Sequence, residues 1–137
     1  MKSVQIVAPA YVYHVWDKVK PLLNVAFINF DNADYDVEHL KVDLINGTQH
    51  LFLVVENENI LGAYTIEIIN YANHRVAHIT SIGGKAMIDK DTVSQCEDWA
   101  RSQGATKIRA FAKDSQARLF KLKMGLEPIT HVVEKTL

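Results

Sequence analysis

DKDTVSQCEDWARSQG (89–104), ATKIRAFA (105–112) and KDSQARLFKLKMG (113–125) form the stretch whose reading decides the fold. In the first piece Val93, Cys96 and Ala100 stand at i, i+3 and i+7 with Trp99 alongside, so one face of a helix is apolar. Thr92 and Gln95 have capping-box spacing, and Gly104 is placed as a left-handed stop. Residues 107–112 are short and partly apolar, as a strand requires. The next helix sets Ala117, Phe120 and Met124 on one face and ends at Gly125. Helix, strand and helix in this order make the second half of a βαβα layer. A ligand site in such a layer opens where strands diverge beside the first of these helices.

Working outward toward the N-terminus, three strands are expected at 50–56, 60–71 and 75–82. The polar connections Asn57-Glu58-Asn59 and Ala72-Asn73-His74 are short enough to make them antiparallel neighbours. Before them, Asp36 can cap a helix over 36–47 that ends at Gly47, with Val37, Leu40 and Leu44 facing inward. Residues 31–35 are polar and turn-rich. Val15, Trp16, Val19, Leu22, Leu23, Ala26 and Phe27 form an earlier helical stripe. Pro21 lies inside it and removes a bond to the Asp17 carbonyl, so a kink or break is expected there. Residues 3–8 alternate, with Val4, Ile6 and Ala8 to one side, and read as a first strand. Residues 128–137 read as a closing one. The order βααβββαβαβ gives a mixed α/β (α+β) sheet of about six strands with helices on both faces. Trp16, Leu23, Phe27, Trp99 and Phe120 are expected in its core.

With 137 residues, 1–137 reads as a single domain large enough to bury a core. Fifteen Lys and Arg against 16 Asp and Glu leave a formal charge of −1, which gives no electrostatic footprint for nucleic acid. No stretch approaches the ~18 apolar residues of a membrane span. The segment MKSVQIVAPA is too short and too alternating for a secretory signal. Cys96 is the one cysteine, so no internal disulfide forms, and its place on an apolar helix face marks it as a core residue. No two of the six histidines share one face of an expected helix at i, i+4 (His74 and His78 fall on a turn and a strand), so no metal is argued.

The element order, with EDWARSQG (97–104) and the Ala117…Gly125 spacing, resembles the GCN5-related N-acetyltransferase (GNAT) family over the whole chain. The family's usual run is E-W-A-R-x-x-G; here one extra residue separates Glu97 from Trp99. VWDKVKPLL (15–23), QHLFLVV (49–55), ILGAYTIEIINY (60–71), SIGGKAM (81–87), CEDWARSQG (96–104) and HVVEKTL (131–137) are similar to runs in small GNAT-like proteins of tailed phages and prophages. That resemblance implies either of two roles. One is an acetyltransferase using acetyl-CoA and an amine acceptor. The other is an inactive phage virion or assembly component that contacts other virion proteins. The corresponding locations are the host cytoplasm or the virion.

The resemblance also implies site positions. The family holds acyl-CoA pyrophosphate with an Arg/Gln-x-x-Gly-x-Gly/Ala loop at a helix N-terminus, where unpaired N–H groups and the dipole favour an anion. Counted back from Gly104, that loop falls on 84–89. Gly84 then stands for the leading Arg, and Met87 and Asp89 for the glycines. A shifted register uses Gly83 and Gly84 with Lys85 as counter-charge, next to Ala86. Ile79, Thr80 and Ser81 correspond to the strand whose backbone pairs with pantetheine. The family's proton-donating Tyr corresponds to Lys121, and an Asn often found three residues before the matched Ala117 is Asp114. Glu67, an isolated carboxylate in TIEII, and His78, between Ala77 and Ile79, are the candidate bases. The alternatives are a solvent-facing Glu67 on a wet sheet face and a His78 satisfied in the core or at its rim.

Overall fold

The computed structural model describes residues 2–28, 35–86 and 89–137. The expected burial of Phe27, the turn at 31–34 and the loop position of Met87 lie outside what is described. The elements are β1 (Ser3–Val7), α1 (Val12–Ile28), α2 (Val37–Asn46), β2 (His50–Glu56), β3 (Asn59–Asn70), β4 (Arg75–Gly84), α3 (Lys90–Ser102), β5 (Lys107–Ala110) and α4 (Asp114–Met124). They build one five-stranded sheet in the order β1-β2-β3-β4-β5. The first three pairings are antiparallel and β4–β5 is parallel. This mixed sheet, with β4 and β5 parallel neighbours, is the architecture expected from the sequence.

Each face carries its own core. Side chains alternate along a strand, so odd and even positions serve different layers. On one face Phe52, Tyr64, Ile66 and Ala77 pack against Val93, Cys96 and Ala100 of α3. On the other, Leu51, Leu53 and Ala63 pack against Trp16, Val19 and Leu23 of α1 and Leu40 and Leu44 of α2. Fully burying one such side chain contributes about 1.5–3 kcal/mol, and this burial on both faces fixes the strand register.

The helix ends follow from local chemistry. The Asp36 carboxylate accepts from the Glu38 and His39 amides at 2.9 and 3.0 Å, which caps α2. Gly47, Gly104 and Gly125 take positive φ after α2, α3 and α4.

Four local expectations are corrected. Residues 128–137 form no strand: all are exposed, Val132 and Val133 at 75% and 88%. A β pattern becomes a strand only where an edge takes its hydrogen bonds, and this run meets none among the described residues. The sheet therefore has five strands. The α3 capping box is Asp89 with Thr92, one turn before the Thr92–Gln95 spacing, because the Asp89 carboxylate takes the Thr92 amide at 3.0 Å. α1 runs through Pro21 without a break. Val19 and Leu23, each 0% exposed, seat the turns on either side and hold the helix across the missing bond. Trp16 and Leu23 are buried as expected, but Trp99 and Phe120 are only half-buried. Trp99 flanks the Cys96–Ala100 stripe and meets Phe52 edge-on at 4.7 Å, with its outer side open.

Candidate active site

β4 and β5 pair over only four residues, from Val76 opposite Lys107 to Ile79 opposite Ala110. Beyond that point β4 continues to Gly84 along β3 alone. Its amide and carbonyl groups on the β5 side therefore have no strand partner from Thr80 onward among the described residues. The divergence coincides with a bulge. Thr65 faces Ser81 and the next residue, Ile66, faces Ile79, which leaves Thr80 as the extra residue of β4. A bulge of this kind bends a strand and re-aims its groups. The sequence-derived positions Ile79, Thr80 and Ser81 thus lie where the bulge and the strand divergence coincide.

On the α1/α2 face of the sheet three chemically active side chains form a row. Glu67 of β3 is the cross-strand partner of His78 on β4, and His78 is the partner of Arg109 on β5. His78 is 9% exposed and Glu67 half-buried. The His78 ring meets Phe111 edge-on at 4.9 Å. Burial, and then the positive Arg109, push its pKa below the ordinary histidine value. At neutral pH it is an uncharged base. The two candidate bases chosen from the sequence are therefore neighbours, and neither is a freely solvated surface group.

A second polar cluster lies beside this row. The Thr80 hydroxyl donates to Gln49 Oε1 at 2.6 Å and lies 2.6 Å from the Thr65 hydroxyl. Thr65 also bonds Ser81. Gln49 Nε2 donates to the Tyr35 hydroxyl at 3.0 Å and to Asp43 Oδ2 at 3.3 Å, and Tyr35 donates to Asp43. Burial, the Asp43 bond and the negative charges of Asp43 and Glu67 push the Tyr35 pKa up, so it stays a neutral donor. Sequence reasoning missed Tyr35, Asp43, Gln49 and Thr65. They come from α2, β3 and the connections on either side of α2, and no spacing links them. The one available signal was Gln49, an amide separated by His50 alone from the apolar run LFLVV.

The loop positions serve several ends. A Cβ on Gly83 would sit 1.8 Å from the Leu22 carbonyl oxygen, so this glycine lets α1 press on the end of β4. Gly84 has φ +65° and backs onto Leu61 and Gly62. The exposed Lys85 donates its amide to the Leu61 carbonyl at 2.9 Å, and Ala86 is buried. At the start of α3 the Asp89 carboxylate is held by the Thr92 amide and by Lys2 Nζ at 3.0 Å, which together lower its pKa. Lys121 is exposed on α4 and pairs with Glu127 at 3.4 Å. It lines a groove of about 290 Å³ with Asp114, Ala117, Arg118 and Pro128, which includes none of the Glu67–His78–Arg109 row. Among the described residues no group of three or more His, Cys, Asp or Glu could hold a metal. Nor is any helix among them long and apolar enough to cross a membrane.

The chain matches no protein-family model. It likewise matches no curated protein sequence. Solved structures do match. An aminoglycoside acetyltransferase from an uncultured soil metagenomic sample, in complex with trehalose, is 16% identical with a TM-score of 0.71, covering 99% of this chain and 96% of that one. A ribosomal-protein-alanine N-acetyltransferase from Brucella melitensis biovar Abortus 2308 is 12% identical at a TM-score of 0.69, covering 99% and 100%. An aminoglycoside N-acetyltransferase in complex with CoA is 11% identical at 0.66, covering 100% and 95%. The fold is that of the GCN5-related N-acetyltransferases.

Proposed function

We propose that this chain is an acyl-CoA-dependent N-acyltransferase, with acetyl-CoA as donor and a primary amine as acceptor. The observation that carries the reading is the divergence of β4 from β5 at Thr80, beside the row of Glu67 and His78. An extended pantetheine arm carries amides at intervals, and the backbone groups that β5 leaves open from Thr80 and Ser81 onward, next to Ile79, are of the right kind to pair with them. Neighbouring structures with the same fold include one in complex with CoA and one with acetyl-CoA.

The chemistry follows from the side chains. An amine attacks a thioester only as the free base. Neutral His78 takes the ammonium proton, with Glu67 facing it across the strand pair. The nitrogen then adds to the acyl carbon, the C–N bond forms, the nitrogen gives its second proton to solvent, the C–S bond breaks and the thiolate departs. Lys121, the residue at the family's acid position, is paired with Glu127 and lines a separate groove. In this reading the thiolate takes its proton from solvent. The pyrophosphate would rest at Gly83, Gly84, Lys85, Ala86 and the start of α3, with Lys85 as counter-charge.

Calorimetry with acetyl-CoA tests the reading directly. Saturable one-to-one binding, weakened by Lys85→Ala, is the expected result; no binding by the intact chain would overturn it. A second reading has one observation in its favour. The Asp89 carboxylate sits on the α3 N-terminus, tied to Thr92 and Lys2, where an anion would otherwise bind. On that reading the protein is a phage virion or assembly component, acting through protein contacts. Asp89→Gly with Met87→Gly would then raise a weak CoA affinity.

A further inference from the structure

We infer that Gln49 is a positioning residue that holds the β4 bulge in the shape the acyl donor needs, through a hydrogen-bond chain with a single direction. The consequence for ligand binding rests on the acyltransferase reading; the holding of the bulge does not.

The direction follows from donor arithmetic. The Asp43 carboxylate only accepts. Tyr35 gives it the phenol proton, so the Tyr35 oxygen is left to accept from Gln49 Nε2. The same Nε2 reaches Asp43 at 3.3 Å. Turning the amide over would set Gln49 Oε1 against that carboxylate, so the amide has one orientation and Oε1 faces Thr80. Thr80 has one hydroxyl proton and gives it to Oε1 at 2.6 Å. Its contact with Thr65 is then one in which Thr65 donates, and Ser81 in turn donates to Thr65. Every proton from Ser81 to Tyr35 points toward Asp43.

Gln49, Thr65 and Ser81 are 5%, 0% and 3% exposed, so water does not replace a broken link. The chain is anchored at one end on α2 and at the other on both strands that flank the bulge. Thr80 is the residue that β4 holds in excess, and a bulged residue has no ladder partner of its own to fix it. Its hydroxyl supplies that restraint. Gln49 carries its donor and its acceptor on separate atoms, Nε2 toward Tyr35 and Asp43 and Oε1 toward Thr80, and so spans from α2 to the bulge.

The test uses Gln49→Met, which keeps the length and removes both bonds, and Tyr35→Phe, which removes only the far hydroxyl. Amide hydrogen exchange at Thr80 and Ser81, the melting temperature and acetyl-CoA affinity are read on the same samples. For Gln49→Met, exchange at Thr80 and Ser81 should rise about tenfold or more, above any change at Phe52 and Tyr64, and acetyl-CoA affinity should fall about tenfold, the scale of a lost hydrogen bond. Tyr35→Phe should do the same more weakly, and decides the matter if Gln49→Met does not fold. Unchanged local exchange in the variant that folds overturns the inference. If the parent chain binds no acetyl-CoA, the acyltransferase reading falls, and exchange alone decides whether Gln49 holds the bulge.

Discussion

The two faces of the sheet solve different problems. Under α3, Phe52 stacks on Tyr64 at 4.8 Å with rings 7° from parallel, and aliphatic side chains fill the rest. Under α1 and α2 the face is equally apolar as far as Ala63, and then changes character. Thr65, Glu67, His78, Thr80 and Ser81 follow within two strands. One residue pair along β3, Ala63 to Thr65, separates a packing surface from a chemical one. Because alternate residues serve opposite faces, Tyr64 and Ile66 go on building the α3 core while their neighbours build the site. One strand can thus carry reactive groups on one face with no loss of hold on the fold.

The contrast can be broken most severely from the α3 face. Phe52→Ala is expected to lower stability by about 3–5 kcal/mol in urea unfolding, since it removes a fully buried ring from a stack. A change below about 0.5 kcal/mol would mean that the stack carries nothing.

The opposite face should answer in rate. His78→Gln is expected to reduce acetyl transfer about a hundredfold, the lower range for a lost general base, with unfolding nearly unchanged. The acid limb of the parent's kcat/KM profile should lie below the ordinary histidine pKa of ~6.5, because burial favours the neutral ring. An acid limb above that value would assign the base elsewhere.

Smaller effects sharpen the boundary. The Tyr64 hydroxyl is buried beside the Cys96 thiol and makes no hydrogen bond of normal geometry. Tyr64→Phe should therefore hold or raise stability, by up to about 1 kcal/mol, where loss of a satisfied hydroxyl would lower it. Asp89→Ala should cost about 1 kcal/mol at neutral pH through the lost cap. The folded-state pKa of Asp89 is depressed, so its contribution is present above the unfolded carboxylate value and is lost as pH falls through the folded one. Parent and variant should converge in acid; a difference that persists there would assign the effect to something other than charge.

The parts legible in the sequence were those with local causes. Asp36 and Gly47 bracket α2 by their own chemistry, and the short polar connections forced the β2–β3–β4 meander. Glu67 and His78 were visible as polar residues in apolar runs, although their adjacency depended on a register that only pairing sets. The rest needed tertiary knowledge. Gly83 resembled a phosphate-loop glycine, yet its missing side chain is filled by the Leu22 carbonyl of a distant helix. Residues 128–137 had a strand's pattern and meet no edge among the described residues. Tyr35, Asp43, Gln49 and Thr65 are ordinary residues until folding brings them together.

The pairing of β1 has a consequence for the order of assembly. Each hairpin of the meander closes across a handful of residues, whereas Val7 must find Leu51 and Ser3 must find Val55. Loop closure grows costlier with the length of chain enclosed. The strand at the front of the chain is therefore expected to dock last, onto an edge that the later strands have already built. Until it does, β2 offers an open edge to any other extended chain. Deleting β1 should thus leave the meander's own pairing to form and expose the β2 edge to self-association.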